Sequence, residues 1–280
     1  MKMQDLERKT AESIAPVITQ TTILLSAYEA KEVSPSLWDA LMTLLFEVVE
    51  KASIQVAELA RRFYDEERER VFPGIPRNDV YRAELSYEQF YDDMSSVYKL
   101  FKKKETSPEE VHRAALRVSR SIENSGRWTM IKAVEAPDPY LDDADDLFVE
   151  SEEGLIVESL TEEESQALQN KLYKDFGKRR WARVATGAET CGWCLMLCSR
   201  GPVYASEASA GGLHAWHDGC DCKVVPVFDL EDWQGRERYM AALEMWKEET
   251  DGYRGKEAVS AMAKAASEGK FQKYLKQVSK

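Results

Sequence analysis

Cysteine is missing from most of this 280-residue chain: all five cysteines lie between Cys191 and Cys222, and the other 248 residues have none. Histidine is nearly as scarce, with three in all, and two of them, His214 and His217, share that window. Long apolar runs are lacking too. The best, Leu37 to Val49, is broken by Asp39 and Glu47, well short of the roughly 20 apolar residues a bilayer demands. The opening MKMQDLERKT has no apolar signal region. These absences predict a soluble chain made and used inside a cell, with no membrane partner. Basic residues vanish over one stretch: between Ala133 and Asn170 there are thirteen Asp or Glu and no Lys or Arg. The rest of the chain holds 38 basic and 37 acidic residues, so this stretch supplies the whole imbalance behind the net charge of −12. A net acidic chain is a poor general ligand for nucleic acid, because phosphate binding needs cations to replace condensed counterions.

The periodicity predicts a mainly α protein: a helical N-terminal region with long amphipathic helices, a small irregular or β Cys/His module, and C-terminal helices. Ile14, Val17, Ile18, Leu24, Leu25 and Tyr28 fall at helical spacing, with Pro16 tolerable only in a first turn. Ser34-Pro35 reads as an N-cap and N1 pair. It opens an apolar stripe through Leu37, Leu41, Leu44, Leu45, Val48, Ala52, Val56, Leu59 and Phe63, stopped by Pro73-Gly74-Ile75-Pro76. At 1.5 Å per residue that helix is on the order of 50 Å long. A third helix covers about 86–104. A fourth begins at Ser107-Pro108-Glu109-Glu110 as a capping box and runs to about Ala133, weakened at Ser125-Gly126. The expected division is a helical domain at 1–135, an acidic linker or arm with the start of a helix at 136–170, a Cys/His module at 171–230, and C-terminal helices at 231–280. The acidic arm opens with Pro137-Asp138-Pro139, carries a short strand at Leu155-Ile156-Val157, and ends in a helix opened by Thr161 and Glu164. In the tail, Ala258, Val259, Ala261, Met262, Ala265 and Ala266 form a small-residue face, and Phe271, Tyr274, Leu275 and Val278 a second stripe.

The chemistry is concentrated in Cys191-Gly-Trp-Cys194, Cys198 and His217-Asp-Gly-Cys220-Asp-Cys222. A CxxC turn puts two thiolates on one side of a metal, and a pair from a distant segment completes a tetrahedron. Such a clip stabilises a loop region too small to build its own core. The expected ligands are Cys191, Cys194 and two of His217, Cys220 and Cys222, with zinc as the ion. Disulfides and plain buried thiols are the competing readings. A zinc deaminase is excluded, because the only histidine ahead of the CxxC is His112 in His-Arg-Ala, not His-x-Glu. HExxH, GxSxG and Walker patterns are absent. A cysteine hydrolase built from Cys198 with His214 or His217 is open to spacing alone, yet nothing local marks an activated thiol. The basic run Lys171, Lys174, Lys178, Arg179, Arg180 and Arg183 follows the acidic stretch. It reads first as a solvated helix face or a neutralising neighbour of the acids, and second as a partner-binding surface for DNA or an acidic protein.

From Trp181 to Phe228 the string resembles the MuF-like minor capsid and head-morphogenesis proteins of tailed phages, in the form found in phages of actinobacteria. The likeness rests on Thr186-Gly187-Ala188, Cys191-x-x-Cys194, Met196-Leu197, Ser199-Arg200-Gly201-Pro202-Val203-Tyr204 and His217-x-x-Cys220-x-Cys222 leading to Val225-Pro226-Val227-Phe228. Gly255-Lys256-Glu257-Ala258 before an alanine-rich helix adds to it. Cys198 departs from the family pattern, which usually has a small residue there. The resemblance implies a structural virion protein present in few copies, bound near the portal inside the head after assembly in the host cytoplasm. Its implied partners are portal protein, capsid or scaffold proteins, packaged DNA and further copies of itself. Some members are labelled capsid maturation proteases. A protease that processes head proteins and a metal-stabilised nucleic-acid-binding module are the two alternative functions.

Overall fold

The computed structural model describes residues 1–77, 81–138, 141, 179–187, 189–206 and 216–278. Most of the acidic arm, including the strand expected at Leu155-Ile156-Val157 and the helix expected from Thr161, lies outside the described residues, as do Lys171, Lys174, Lys178 and His214. The described residues are mainly α-helical with one two-stranded sheet, as the periodicity predicts. They fall into two compact units: Met1–Phe63, Tyr81–Thr129 and Trp216–Gly219 in the first, and Tyr64–Val80, Met130–Ala215 and Cys220–Lys280 in the second.

Four helices make the first unit: α1 (Met3–Ser26), α2 (Pro35–Val71), α3 (Tyr87–Lys102) and α4 (Pro108–Glu135), the second and fourth continuing past the unit's limits. Their apolar faces close on Leu25, Trp38, Met42, Leu45, Val49, Phe90, Met94, Phe101, Val118 and Ile122. The Trp38 ring lies 5.1 Å from Tyr98 and 5.6 Å from Phe101, so the largest side chain of the core sits where α2 meets α3. On α2 the expected stripe is buried at Leu41, Leu45, Ala52, Val56 and Phe63, but the buried face extends to a second line. Trp38, Met42, Val49, Ala57 and Ala60 are buried as well, while Leu44 is 59% exposed and Leu37, Val48 and Leu59 are partly exposed. Helical spacing admits both lines.

Two expected weak points are not breaks. Helix α1 starts at Met3 and runs through Pro16. The ring costs the Glu12 carbonyl its helical donor, but Pro16 and Glu12 both face solvent, where water serves instead. Helix α4 likewise passes unbroken through Ser125-Gly126. A Cβ on Gly126 would come 2.9 Å from Val56 Cγ1, so the glycine there permits close approach of α2 rather than ending a helix. The caps follow the sequence in part. Ser86 and Gln89 form a reciprocal capping box on α3. At α4 the Ser107 hydroxyl accepts from Glu110 N at 3.4 Å, but the Glu110 carboxylate pairs with Arg113 instead of reaching back. The short stretch 216–219 is fastened within this unit. Trp216 packs edge-on to Trp128 at 5.6 Å, and Asp218 accepts from Arg117 at 2.9 Å and forms an ion pair with Arg120 at 3.0 Å.

The second unit is built around an antiparallel pair, β1 (Arg180–Val184) and β2 (Lys223–Val227), with Ala182 opposite Val225. Helices α5 (Gly192–Cys198), α6 (Arg236–Glu249), α7 (Gly255–Ser267) and α8 (Lys270–Val278) complete it. A Cβ on Gly192 would fall 2.3 Å from Ala263 Cα. The glycine of the CxxC turn and the small-residue helix therefore require each other. Asp138, expected on an extended acidic arm, is fully buried and accepts two bonds from Arg68, at 2.7 and 3.1 Å. An ionised pair survives such burial because the guanidinium and carboxylate match in charge and geometry.

Candidate metal centre

The sequence around the cysteines folds into two short arms. One is the turn into α5: Cys191 is its N-cap, and the Sγ accepts from Cys194 N at 3.3 Å. That geometry puts the Cys191 and Cys194 sulfurs on one side, as a CxxC turn should. The other is Cys220-Asp221-Cys222, leading into β2. Cys194 Sγ lies 3.4 Å from Cys220 Sγ, which lies 3.1 Å from Cys222 Sγ. The sulfurs of Cys194, Cys220 and Cys222 all fall within 4.8 Å of one another. Cys194 is the hub, since its sulfur lies within 4.8 Å of those of Cys191, Cys220 and Cys222. A tetrahedral zinc with Zn–S bonds of about 2.3 Å separates its sulfurs by about 3.8 Å. The observed spacings are a few tenths of an ångström tighter, so an ion fits after a small spreading of side chains.

Asp221 locks the two arms together. Its carboxylate accepts from Gly187 N at 2.9 Å and from the Thr190 hydroxyl at 2.6 Å, while its carbonyl accepts from the Thr186 hydroxyl at 2.6 Å. The loop leading to Cys191 is thereby pinned to the segment carrying Cys220 and Cys222. Burial pushes the Asp221 carboxyl up, against the Thr190 bond that favours its charged form.

Two of the thiols, Cys194 and Cys198, are held neutral in the absence of a cation. Hydrogen bonds with Cys191, Cys220 and Cys222, and then burial, push the Cys194 thiol far above the ordinary range. Cys198 is fully buried at the end of α5 and is pushed up by that burial first and by Cys222 second. A raised thiol pKa is the reverse of what a nucleophile needs, so Cys198 is a core thiol. A divalent ion reverses the balance for its ligands by displacing their protons. No disulfide joins any of the five cysteines.

His217 sits exposed on the 216–219 stretch grouped with the first unit, its Nδ1 2.9 Å from the Asp218 carbonyl. Of the basic run, Arg179, Arg180 and Arg183 are buried rather than on a solvated helix face. Arg180 and Arg183 belong to β1, every residue of which is buried. Arg179 donates to the carbonyls of Val134 and Ala136, closing the end of α4. Arg183 donates to Cys222 Sγ at 3.8 Å. Sequence reasoning missed the roles of Asp221 and Arg183. In the sequence Asp221 is only the residue between two candidate ligands, and Arg183 only one charge in a basic run.

With this geometry in hand, comparison with known proteins gives a consistent result. The family described as VG15 protein matches residues 140–249, which include both cysteine arms. The gene 15 protein of Mycobacterium phage D29 is 32% identical over 263 residues, covering 83% of this chain and 80% of that one. The gene 15 protein of Mycobacterium phage L5 is 30% identical over 286 residues, covering 86% and 85%. No solved structure matches the chain. Such identity across most of both sequences reaches well beyond the cysteine window. The chain belongs to the family of mycobacteriophage gene 15 proteins, and so to a phage particle or its infected host.

Proposed function

We propose that the chain is a structural minor capsid protein of the phage head, of the MuF-like kind that works beside the portal, and that its cysteine cluster holds one zinc ion as a brace. The observation that carries the metal reading is the gathering of Cys191, Cys220 and Cys222 around Cys194 within one compact unit. Soft sulfur donors gathered this closely suit zinc better than magnesium, calcium or manganese. A set with every place filled by protein is a structural site, because catalysis at zinc needs an open position for water or substrate. The virion reading draws on the resemblance of 181–228 and on kinship to phage proteins. Portal protein is the partner it implies, with capsid or scaffold proteins and packaged DNA around it in the head interior.

Two measurements test the proposal. Elemental analysis of the purified chain should find one zinc, retained in His217→Ala and lost in Cys194→Ser. Loss in His217→Ala as well would move the fourth place from Cys191 to His217, and a zinc-free wild type would end the metal reading. Mass spectrometry of purified particles should find the protein at few copies, co-purifying with portal protein. A protein abundant in infected cells yet missing from particles would overturn the virion reading. Cleavage of a head protein, abolished by Cys198→Ser, would favour the maturation protease instead.

A further inference from the structure

We propose that Arg183 is the built-in counter-charge of the metal centre, a positioning residue whose guanidinium holds the Cys222 sulfur in place as a ligand. This rests on the zinc reading above and adds a residue that no ligand pattern includes. Arg183 sits on β1, one register step from Val184, which pairs with Lys223 next to Cys222. Its side chain is fully buried, and Nη1 reaches Cys222 Sγ at 3.8 Å, an ordinary length for a donor on sulfur.

The charges make the case. A guanidinium keeps its proton at any physiological pH, so β1 carries a permanent positive charge into the interior. Once a divalent ion takes four thiolates, the cluster carries two net negative charges, or one if an imidazole replaces a thiolate. Either way Arg183 offsets part of that charge from inside the core. Its N–H also withdraws electron density from the Cys222 sulfur. Outer partners of this kind set ligand orientation and metal affinity, and losing one typically costs about 10–100-fold in binding.

The test compares the wild-type chain with Arg183→Met and Arg183→Lys. Zinc affinity is measured by competition with a chromophoric chelator, and the sulfur environment by the sulfur-to-metal charge-transfer band of the cobalt-substituted protein. Arg183→Met should bind zinc about 10–100-fold more weakly. Its cobalt band should keep its intensity, because the sulfurs are the same, but move to lower energy, because Cys222 has lost its donor. Arg183→Lys should recover part of the affinity by restoring the charge. A purely structural role would change folding but leave the band where it is. Unchanged affinity and band position in both variants would overturn the proposal while leaving the zinc site intact. Should Arg183→Met fail to fold, Arg183→Lys decides alone: a wild-type band and affinity overturn the proposal, and a shifted band at reduced affinity supports it. A wild type that binds neither zinc nor cobalt fails at the earlier step, which separates the two readings.

Discussion

The two units reach order by different routes. The first is a set of long helices whose interior is filled by apolar side chains, with Trp38 at its centre and no cysteine anywhere in it. The second has short helices, a sheet of five-residue strands, and an interior that includes four cysteines and several arginines. In the first, removing water from hydrocarbon is the main stabilising term. In the second, thiols and guanidinium groups occupy space that hydrocarbon would otherwise fill, and they become favourable only when their charges are matched. Order in the first unit thus depends on area buried, and order in the second on how the charges of its buried polar groups are matched.

The sharpest way to break that contrast is Cys194→Ser. Removing the hub sulfur should lower zinc affinity by more than the roughly 100-fold expected for an outer partner and drop the melting temperature of the second unit. Hydrogen exchange in α1 and α3 should stay as in the wild type. Loss of protection there too would mean that the first unit also depends on the ion. Trp38→Ala is the mirror experiment. Truncating a fully buried tryptophan should cost about 3–5 kcal/mol by denaturant unfolding while zinc affinity holds. A weaker effect comes from Asp221→Ala, which frees the loop before Cys191 from the segment bearing Cys220 and Cys222. Chelator competition should show a loss of about 10–100-fold.

The pH dependence sharpens the same comparison. Cys194 and Cys198 have folded-state pKa values pushed above the ordinary thiol value. The folded, metal-free chain therefore keeps protons that the unfolded chain releases above about pH 8.5. Stability is full below that pH and falls as pH rises through it, by up to about 1.4 kcal/mol per unit for each thiol. Zinc removes the Cys194 share, since a ligand thiol has already lost its proton, so thermal melts of the loaded chain should decline less steeply. The smallest effect belongs to Ser86→Ala, about 1 kcal/mol for a lost cap, confined to α3.

The helices were legible because a 3.6-residue period is a local property. Ser34-Pro35, the prolines after α2 and Ser107 marked boundaries that the fold respects to within a residue or two. The period could not say how far the buried face extends, and Leu44 went to solvent while Trp38 and Met42 went to the core. That choice belongs to partners distant in the chain. The cysteine arms were legible from spacing. Asp221, Arg183 and the buried strand Arg180–Val184 were not, because an aspartate or arginine looks the same in sequence whether it meets water or a matching group. Asp138 and Arg68 make the point again: charge density suggested a solvated arm, and the fold put the pair in the interior.

Cys220-Asp221-Cys222 alternates its side chains, sulfur toward the cluster on either side and carboxylate toward the 186–190 loop between them. Adding or deleting a single residue in this tripeptide would exchange those directions. A hard oxygen would then face the sulfur cluster and a thiol would face the loop amides, leaving a mixed donor set on one side and a turn with no acceptor on the other. The single residue between those two sulfurs is what keeps sulfur and carboxylate on opposite faces of the segment.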